Sequence, residues 1–179
     1  WPLWLLAAAS IKLDSPGPVF FTQVRMGRAR RPFGIYKFRT MTADAPSKGG
    51  QLTIGRDARV TRVGAVLRKY KLDELPQLWN ILTGDMSLVG PRPEVPRYVD
   101  MFADAYADIL TVRPGLTDLA SLKYIDEATV LAAAASPDEE YVSVILPEKI
   151  KLAKFYVRHA STLLDLAIVI QTLLWLLKI

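Results

Sequence analysis

The sequence predicts one compact α/β domain that is mostly helical and contains a short β-hairpin. Its 179 residues suffice for a sizeable core. A content of 51% apolar and 23% charged residues is typical of a globular chain. Two β-rich runs flank a basic turn, and elsewhere apolar residues recur at the three- and four-residue spacing of amphipathic helices.

The elements follow in order along the chain. Residues 19–26 and 33–41 are rich in β-branched and aromatic side chains, and the turn formers between Gly27 and Pro32 predict a hairpin. Apolar spacing predicts a helix from about Asp57 to Lys71 and a second from Asp73 through Leu82. Further helices are predicted over residues 96–110 and after Ser136, a capping serine followed by proline and three acidic residues.

Composition excludes several kinds of site. The chain has no cysteine and one histidine, His159, so thiol nucleophiles, cysteine-bound zinc and Ser-His triads are not expected. Any metal should therefore sit on oxygen ligands, which favours magnesium or calcium.

Basic residues concentrate in the first part of the chain. Residues 12–71 carry fourteen basic and three acidic residues, a balance of +11, whereas residues 72–179 carry nine and fifteen, a balance of −6. A basic region of this kind suits nucleic acid, anionic lipid or a phosphorylated substrate. A solvated charged face is the alternative for most of these side chains.

The first eleven residues, WPLWLLAAASI, are apolar and precede the first charge, Lys12. As a helix they would rise roughly 17 Å, against about 30 Å of hydrocarbon core, so they cannot span it. They are expected to dip part-way in, or to form the second half of a longer segment broken at Pro2. Trp1 and Trp4 near Lys12 favour a membrane element over a buried helix.

The last nineteen residues, STLLDLAIVIQTLLWLLKI, are apolar apart from a narrow stripe. Asp165 and Thr172 lie seven apart, as do Gln171 and Lys178, so the polar groups share one side of a helix. Asp165 and Gln171 would be costly at mid-bilayer. An amphipathic helix in the membrane interface is therefore predicted, with a core helix as the alternative.

The stretch KYKLDELPQLWNILTGDMSLVGPRP contains adjacent carboxylates, Asp73 and Glu74. Asp73 stands where a helix N-cap belongs, and capping is its plainest interpretation. However, Arg68, Lys69 and Lys71 precede the pair, and a cap does not require this surplus of positive charge.

Two arginines further along lie on proline-stiffened backbone, Arg92 in Gly-Pro-Arg-Pro and Arg113 in Val-Arg-Pro-Gly-Leu. Together with the acidic pair they predict a phosphoryl-transfer site. Its carboxylates would bind a metal or attack phosphorus, and its guanidinium groups would neutralise phosphate oxygens.

The chain resembles the bacterial sugar transferases, the monotopic phosphoglycosyl transferases. The resemblance rests on SPGPVFFTQVRMGR, FGIYKFRTM, VTRVGAVLRKYKLDELPQLWNILTGDMSLVGPRPEVP and VRPGLT, and runs from about Ile11 to Thr117, with a looser match near the C-terminus. LDELPQLWN closely followed by GDMSLVGPRP is specific to that family.

The resemblance implies a compact monotopic membrane-associated domain with a re-entrant N-terminal helix and interfacial amphipathic helices. Residues 1–11 would be the C-terminal half of the re-entrant helix. Residues 12–179 would form a single catalytic domain that ends in an interfacial helix. The location implied is the cytoplasmic face of the bacterial inner membrane, in contact with membrane lipid.

The activity implied is transfer of a phosphosugar from a UDP-sugar to polyprenyl (undecaprenyl) phosphate, the first membrane step in building a surface glycan. By resemblance Asp73 is the nucleophile, and Asp73 with Glu74 holds Mg²⁺. Four arginines are assigned to phosphate groups: Arg39, Arg68, Arg92 and Arg113.

Some questions stay open at the level of sequence. A common family form reads Arg-Pro-Gly-Ile-Thr-Gly-Leu-Ala-Gln, where this chain has Asp118 and Ser121 in place of a Gly and the Gln. The stretch Thr117–Glu127 is predicted to contact the sugar, but the sugar, the glycan pathway and a monomeric or homodimeric state are undetermined.

Two rival interpretations come from other functional classes. One is a non-catalytic peripheral membrane protein that binds anionic lipid, with Asp73 only a cap. The other is a nucleic-acid-binding domain, for which the sequence offers no recognition motif, so no nucleic-acid partner is expected.

Overall fold

The computed structural model describes residues 2–50 and 52–178. It is a mixed α/β fold, mostly helical with a short antiparallel hairpin, as predicted. The helices are α1 Pro2–Asp14, α2 Arg62–Lys69, α3 Gln77–Leu82, α4 Pro96–Met101, α5 Ala103–Ile109, α6 Leu119–Lys123, α7 Glu127–Ala132, α8 Pro137–Glu140, α9 Leu146–His159 and α10 Thr162–Leu176. The strands are β1 Phe20–Met26, β2 Pro32–Phe38, β3 Ser87–Val89 and β4 Gly115–Thr117.

The predicted hairpin is confirmed. β1 and β2 pair antiparallel in a register that sets Phe20 opposite Phe38 and Met26 opposite Pro32. The connection turns through Ala29 and Arg30, both of which adopt a left-handed backbone conformation. Both faces of β2 carry a buried side chain, because Ile35 and Phe38 lie three residues apart and point to opposite sides of the strand.

A second, parallel pair of short strands was not predicted. β3 and β4 pair Ser87 with Gly115 and Val89 with Thr117. Just beyond β3 the two main chains touch, because a Cβ on Gly115 would lie 2.1 Å from the amide nitrogen of Gly90. Only glycine permits this approach, which fixes the start of the Gly-Pro-Arg-Pro loop.

Several predicted helices are shorter or broken in the structure. The helix expected from Asp57 begins only at Arg62, because the Thr61 hydroxyl caps it by accepting from the Gly64 amide at 3.0 Å. The helix expected over residues 96–110 is divided at Phe102. The capping role predicted for Ser136 is wrong, since its side chain makes no cap hydrogen bond and α8 continues through a π-helical turn into α9.

The main core lies between α4, α5, α9 and the end of β1. Its buried residues include Val99, Leu131, Ile145 and Leu146. A second cluster joins α1 to the hairpin and α2, and contains Ala7, Ile11, Phe38 and Leu67. These two clusters hold the hairpin in place along the length of the cavity described below.

Helix α1 packs on the hairpin through one side only. Trp4 is partly buried, and its ring meets Phe38 edge-on at 5.5 Å between centroids. Pro2 is exposed and is the first residue of α1, whereas the predicted membrane residue Trp1 lies outside the described residues. The other side of α1 presents exposed leucines, namely Leu3, Leu5, Leu6 and Leu13.

Helix α10 turns part of its polar stripe toward the protein, whereas Gln171 and Lys178 are exposed. The Asp165 carboxylate accepts from the Tyr156 hydroxyl at 2.8 Å, and Thr172 is hydrogen-bonded to Thr117 at 2.7 Å between hydroxyl oxygens. The outer face is therefore apolar and exposed, and includes Leu163, Leu166, Ile170, Leu173, Leu174 and Leu177. Within residues 2–50 and 52–178, every helix is too short or too polar to cross a bilayer.

Candidate active site

Asp73 does not cap a helix. It lies in a 3₁₀ turn, Leu72–Glu74, and α3 begins only at Gln77 without a side-chain cap. Lys71 adopts a left-handed conformation and turns the chain out of α2 just before this segment. Asp73 is 7% exposed, and its Oδ1 atom has no hydrogen-bond partner among the described residues. The capping interpretation is therefore wrong, and the carboxylate is left available for chemistry.

Glu74, in contrast, is held by two cations. Its Oε1 accepts from Lys37 Nζ at 3.1 Å and from Arg92 Nη2, and its Oε2 accepts from Arg92 Nη1 at 3.3 Å. Burial would raise the pKa of Glu74, but the positive charges of Arg92 and Lys37 outweigh it and hold the pKa well below its ordinary value. Glu74 is thus a permanent anion that fixes the arginine loop, Gly90–Pro93, against Lys37 of β2.

The pKa values of the two adjacent carboxylates are shifted in opposite directions. Burial raises the pKa of Asp73 above its ordinary value, and the attraction of Lys37 only partly offsets this. Glu74 adds to the rise by like-charge repulsion. A poorly solvated carboxylate beside a fully paired one is typical of sites where two acids have different roles.

Arg92 reaches this site from the loop after β3. Its backbone N–H donates to Asp118 Oδ2 at 3.2 Å, while Asp118 Oδ1 accepts from the Ser121 amide at 2.7 Å and caps α6. Asp118, which stands where the common family form has a glycine, is buried and therefore has a structural role. It joins the arginine loop to the start of α6.

Arg68 also points toward the site. It lies on α2, and its Nε donates to the Thr40 hydroxyl at 2.8 Å while Nη1 donates to the Thr53 hydroxyl at 3.2 Å. Helix α2 can come this close because Gly64 packs directly on the Thr40 carbonyl, where a Cβ would lie 2.0 Å from the oxygen. Burial lowers the pKa of Arg68 although Asp73 partly offsets the effect. Arg68 faces neutral hydroxyls rather than a paired anion, so it can serve an incoming phosphate.

The remaining two predicted arginines are placed differently. Arg39 is buried, and its guanidinium donates to the carbonyl of Ser15 at 2.7 Å and to that of Pro16. Ser15 and Pro16 directly follow the end of α1 at Asp14, so Arg39 supports the end of that helix. Arg113 is exposed and does not appear among the described residues that line the cavity. Arg39 nevertheless lines the same cavity as Asp73, Glu74, Arg68 and Arg92, whereas Arg113 does not.

This cavity has a volume of about 1340 Å³. It is larger than the roughly 300–1,000 Å³ of ordinary small-molecule sites. Lys37 and most of the stretch Thr117–Glu127 also line it. The sugar-contacting role of that stretch stays a prediction.

Sequence reasoning missed Lys37. Residues two apart in a strand share a face, so Lys37 lies on the same face as the buried Ile35. A lysine on the inward face of a hairpin is the signal that could have identified it. Burial lowers the pKa of Lys37, and Glu74 partly offsets the shift.

The carboxylate oxygens of Asp73 and Glu74 are the candidate ligands of the predicted Mg²⁺. Among residues 2–50 and 52–178 no group of three or more His, Cys, Asp or Glu side chains is arranged to hold a metal. Mg²⁺ commonly needs only one or two carboxylates, with water and substrate phosphates supplying the rest. The unpartnered Oδ1 of Asp73 and the less occupied Oε2 of Glu74 fit that requirement.

A model of the family described as bacterial sugar transferase matches residues 1–179. The chain belongs to the bacterial sugar transferase family. The match covers the elements that carry Asp73, Glu74 and Arg92.

Three curated relatives show how far the likeness extends. The chain is 43% identical over 175 residues to the UDP-N-acetylgalactosamine-undecaprenyl-phosphate N-acetylgalactosaminephosphotransferase of Aeromonas hydrophila, covering 96% of this chain and 38% of that protein. It is 49% identical over 125 residues to a UDP-glucose:undecaprenyl-phosphate glucose-1-phosphate transferase of Caulobacter vibrioides, covering 68% and 47%. It is 36% identical over 178 residues to the exopolysaccharide production protein PSS of Rhizobium leguminosarum bv. phaseoli, covering 96% and 84%.

The sugar transferase therefore spans less than half the length of the first two of these relatives. The names of those two relatives contain different sugars, so membership of the family leaves the donor sugar open.

Proposed function

We propose that this sugar transferase moves a phosphosugar from a UDP-sugar to polyprenyl phosphate, the first membrane step in assembling a surface glycan such as an exopolysaccharide. The observation that carries the proposal is the buried carboxylate of Asp73, whose Oδ1 has no hydrogen-bond partner among the described residues, in a cavity lined by Lys37, Arg68 and Arg92. The names of the relatives, which contain UDP-sugars and undecaprenyl phosphate, support it.

In the first half-reaction an Asp73 carboxylate oxygen attacks the sugar-bearing phosphorus. A P–O bond forms to Asp73, the bond to the bridging oxygen breaks, and UMP leaves with that oxygen. Carboxylates serve as phosphoryl acceptors in this way elsewhere. Arg68 and Arg92 neutralise the phosphate oxygens as charge develops on them.

In the second half-reaction a phosphate oxygen of the lipid attacks the phosphosugar on Asp73. The new P–O bond yields a diphosphate-linked lipid sugar, and the bond to Asp73 breaks to restore the carboxylate. Glu74 stays ionised throughout and keeps Lys37 and Arg92 in position. Mg²⁺, held by Asp73 and Glu74, would supply charge neutralisation at the phosphates.

The exposed apolar faces of α1 and α10 suit attachment to the membrane from one side. Leu163 and Leu177 are 81% and 83% exposed on α10, and Leu13 is 89% exposed on α1. Helices with one apolar face lie in the interface plane. We place the protein at the cytoplasmic face of the bacterial inner membrane, with α1 entering the bilayer part-way as in a re-entrant, monotopic arrangement.

The proposal is tested by UMP release. Purified protein is given a panel that includes UDP-N-acetylgalactosamine and UDP-glucose, with polyprenyl phosphate and Mg²⁺ or with EDTA. One donor is expected to yield UMP in a Mg²⁺-dependent reaction that Asp73→Asn abolishes. The matched control, Asp104→Asn, removes an exposed carboxylate on α5 and should keep wild-type activity.

Full UMP release by Asp73→Asn would remove Asp73 from the chemistry. An absence of UMP with every donor, in a protein extended at its N-terminus, would favour the non-catalytic lipid-binding alternative.

A further inference from the structure

Apolar side chains that line the cavity and also reach the surface come from two elements, and we call this part of the cavity its entrance. Phe20 and Phe21 of β1 line one side, and both are partly exposed. Leu173, Trp175 and Leu176 of α10 line the other. Half-exposed aromatic and aliphatic side chains at the entrance of a charged cavity indicate a ligand that is itself part apolar and part ionic.

This entrance is continuous with the exposed apolar face of α10. Leu173 is more than half exposed on that outer face and also lines the cavity. The orientation of the helix is fixed by its inward hydrogen bonds from Asp165 and Thr172. An apolar chain can therefore pass from the outer face of α10 into the cavity without crossing a polar rim at Leu173.

Lys71 stands at the same entrance. Its Nζ lies 5.8 Å from the centre of the Trp175 ring, within cation–π range. Its side chain is exposed and lines the cavity two residues before Asp73. Its backbone is left-handed, a conformation that carries a steric cost for a residue other than glycine. The turn thus directs a cation to the point where the apolar entrance meets the nucleophile.

We propose that Lys71 and Trp175 form the subsite of the acceptor lipid. The Lys71 ammonium binds the terminal phosphate, and the isoprenoid chain runs over Trp175 and Leu173 toward the outer face of α10. This inference rests on the proposed function and adds the location of its second substrate. The occupant is a phosphate monoester on a polyprenyl chain, because only such a ligand brings a nucleophilic phosphate beside Asp73.

The test separates the two half-reactions. Lys71→Gln and Trp175→Leu are compared with the matched controls Lys151→Gln, on the exposed side of α9, and Trp79→Leu, exposed on α3. Lys71→Gln removes the charge and keeps an unbranched polar side chain and a non-glycine residue at the left-handed position. Three quantities are measured: single-turnover UMP release without lipid, the KM for polyprenyl phosphate, and direct binding of radiolabelled short-chain polyprenyl phosphate without donor.

The two entrance variants are expected to raise the KM for polyprenyl phosphate and weaken its direct binding about tenfold, which corresponds to about 1.4 kcal/mol. UMP release without lipid should stay at the wild-type level, and both controls should match wild type throughout. A loss of UMP release in parallel with KM, or an unchanged KM and unchanged binding, would overturn the assignment.

A competition arm distinguishes the acceptor from ordinary phospholipid. Excess phosphatidylglycerol in mixed micelles should leave the binding of polyprenyl phosphate unchanged, and equal competition would overturn the acceptor assignment. If wild type releases no UMP from any donor, the proposed function fails. The direct binding measurement still decides this inference in that case.

Discussion

Replacing Asp73 with asparagine should separate catalysis from stability. The side chain is buried, its Oδ1 has no partner among the described residues, and burial raises its pKa. Asparagine has nearly the same shape without the charge. We therefore expect Asp73→Asn to lose UMP release and yet to be more stable than wild type at pH 7.

The size of the gain follows from the unpaired oxygen. A buried polar group without a hydrogen bond costs about 1–3 kcal/mol. Asparagine still buries a polar atom, so we expect the lower end, about 1 kcal/mol, which raises the melting temperature of a chain of this size by roughly 2–4 °C.

The gain should depend on pH in a defined direction. The folded pKa of Asp73 lies above that of the unfolded chain, so ionisation near neutral pH destabilises the fold. This penalty fades as the pH falls toward the ordinary aspartate pKa of about 3.9. The difference between Asp73→Asn and wild type should therefore shrink as the pH is lowered.

The assay is thermal unfolding in detergent at pH 7 and pH 5. Asp104→Asn is the matched control, because it removes an exposed carboxylate and should change stability by less than about 0.5 kcal/mol. A clear fall in melting temperature for Asp73→Asn at pH 7, absent from the control, would refute the reasoning. It would show that the charge supports the fold.

Three further predictions follow. Glu74→Gln should lower the free energy of unfolding by about 3–5 kcal/mol, because Lys37 and Arg92 lose the anion that pairs with them. In wild type this contribution is fully present above the unfolded pKa of about 4.3. In thermal melts it should fade as the pH falls toward the lower folded pKa of Glu74. Arg39→Gln should lower the melting temperature and keep the KM for UDP-sugar, whereas a tenfold higher KM would restore its phosphate role. Leu163→Glu with Leu166→Glu should release the protein in liposome sedimentation, unlike high salt alone or the exposed control Val130→Glu.

Elements set by local pattern were predictable. The hairpin follows from two β-rich runs around a turn, and α2 and α10 from apolar spacing. The polar stripe predicted for α10 is divided in the structure: Asp165 and Thr172 face the protein, whereas Gln171 and Lys178 are exposed. This division could not be read from the sequence, because it depends on the distant partners Thr117 and Tyr156.

The site was predictable in its residues but not in its arrangement. Adjacent acids and proline-flanked arginines indicated phosphate chemistry, and the structure joins Glu74 to Arg92. The phosphate role of Arg113 stays a prediction, because its side chain is exposed and is not among the described residues that line the cavity. The capping alternative for Asp73 could be set aside only with the structure, because no glycine in the sequence marks the left-handed turn at Lys71.

The contact between Gly90 and Gly115 has a consequence for redesign. Because two main chains meet there with no side chain between them, backbone geometry alone sets where the arginine loop starts. The cavity walls contributed by α6 and α7 belong to a different part of the chain. Asp118 is the one described link between that loop and the start of α6, so we expect exchanges of wall segments between relatives to leave Arg92 in place only where Asp118 is kept.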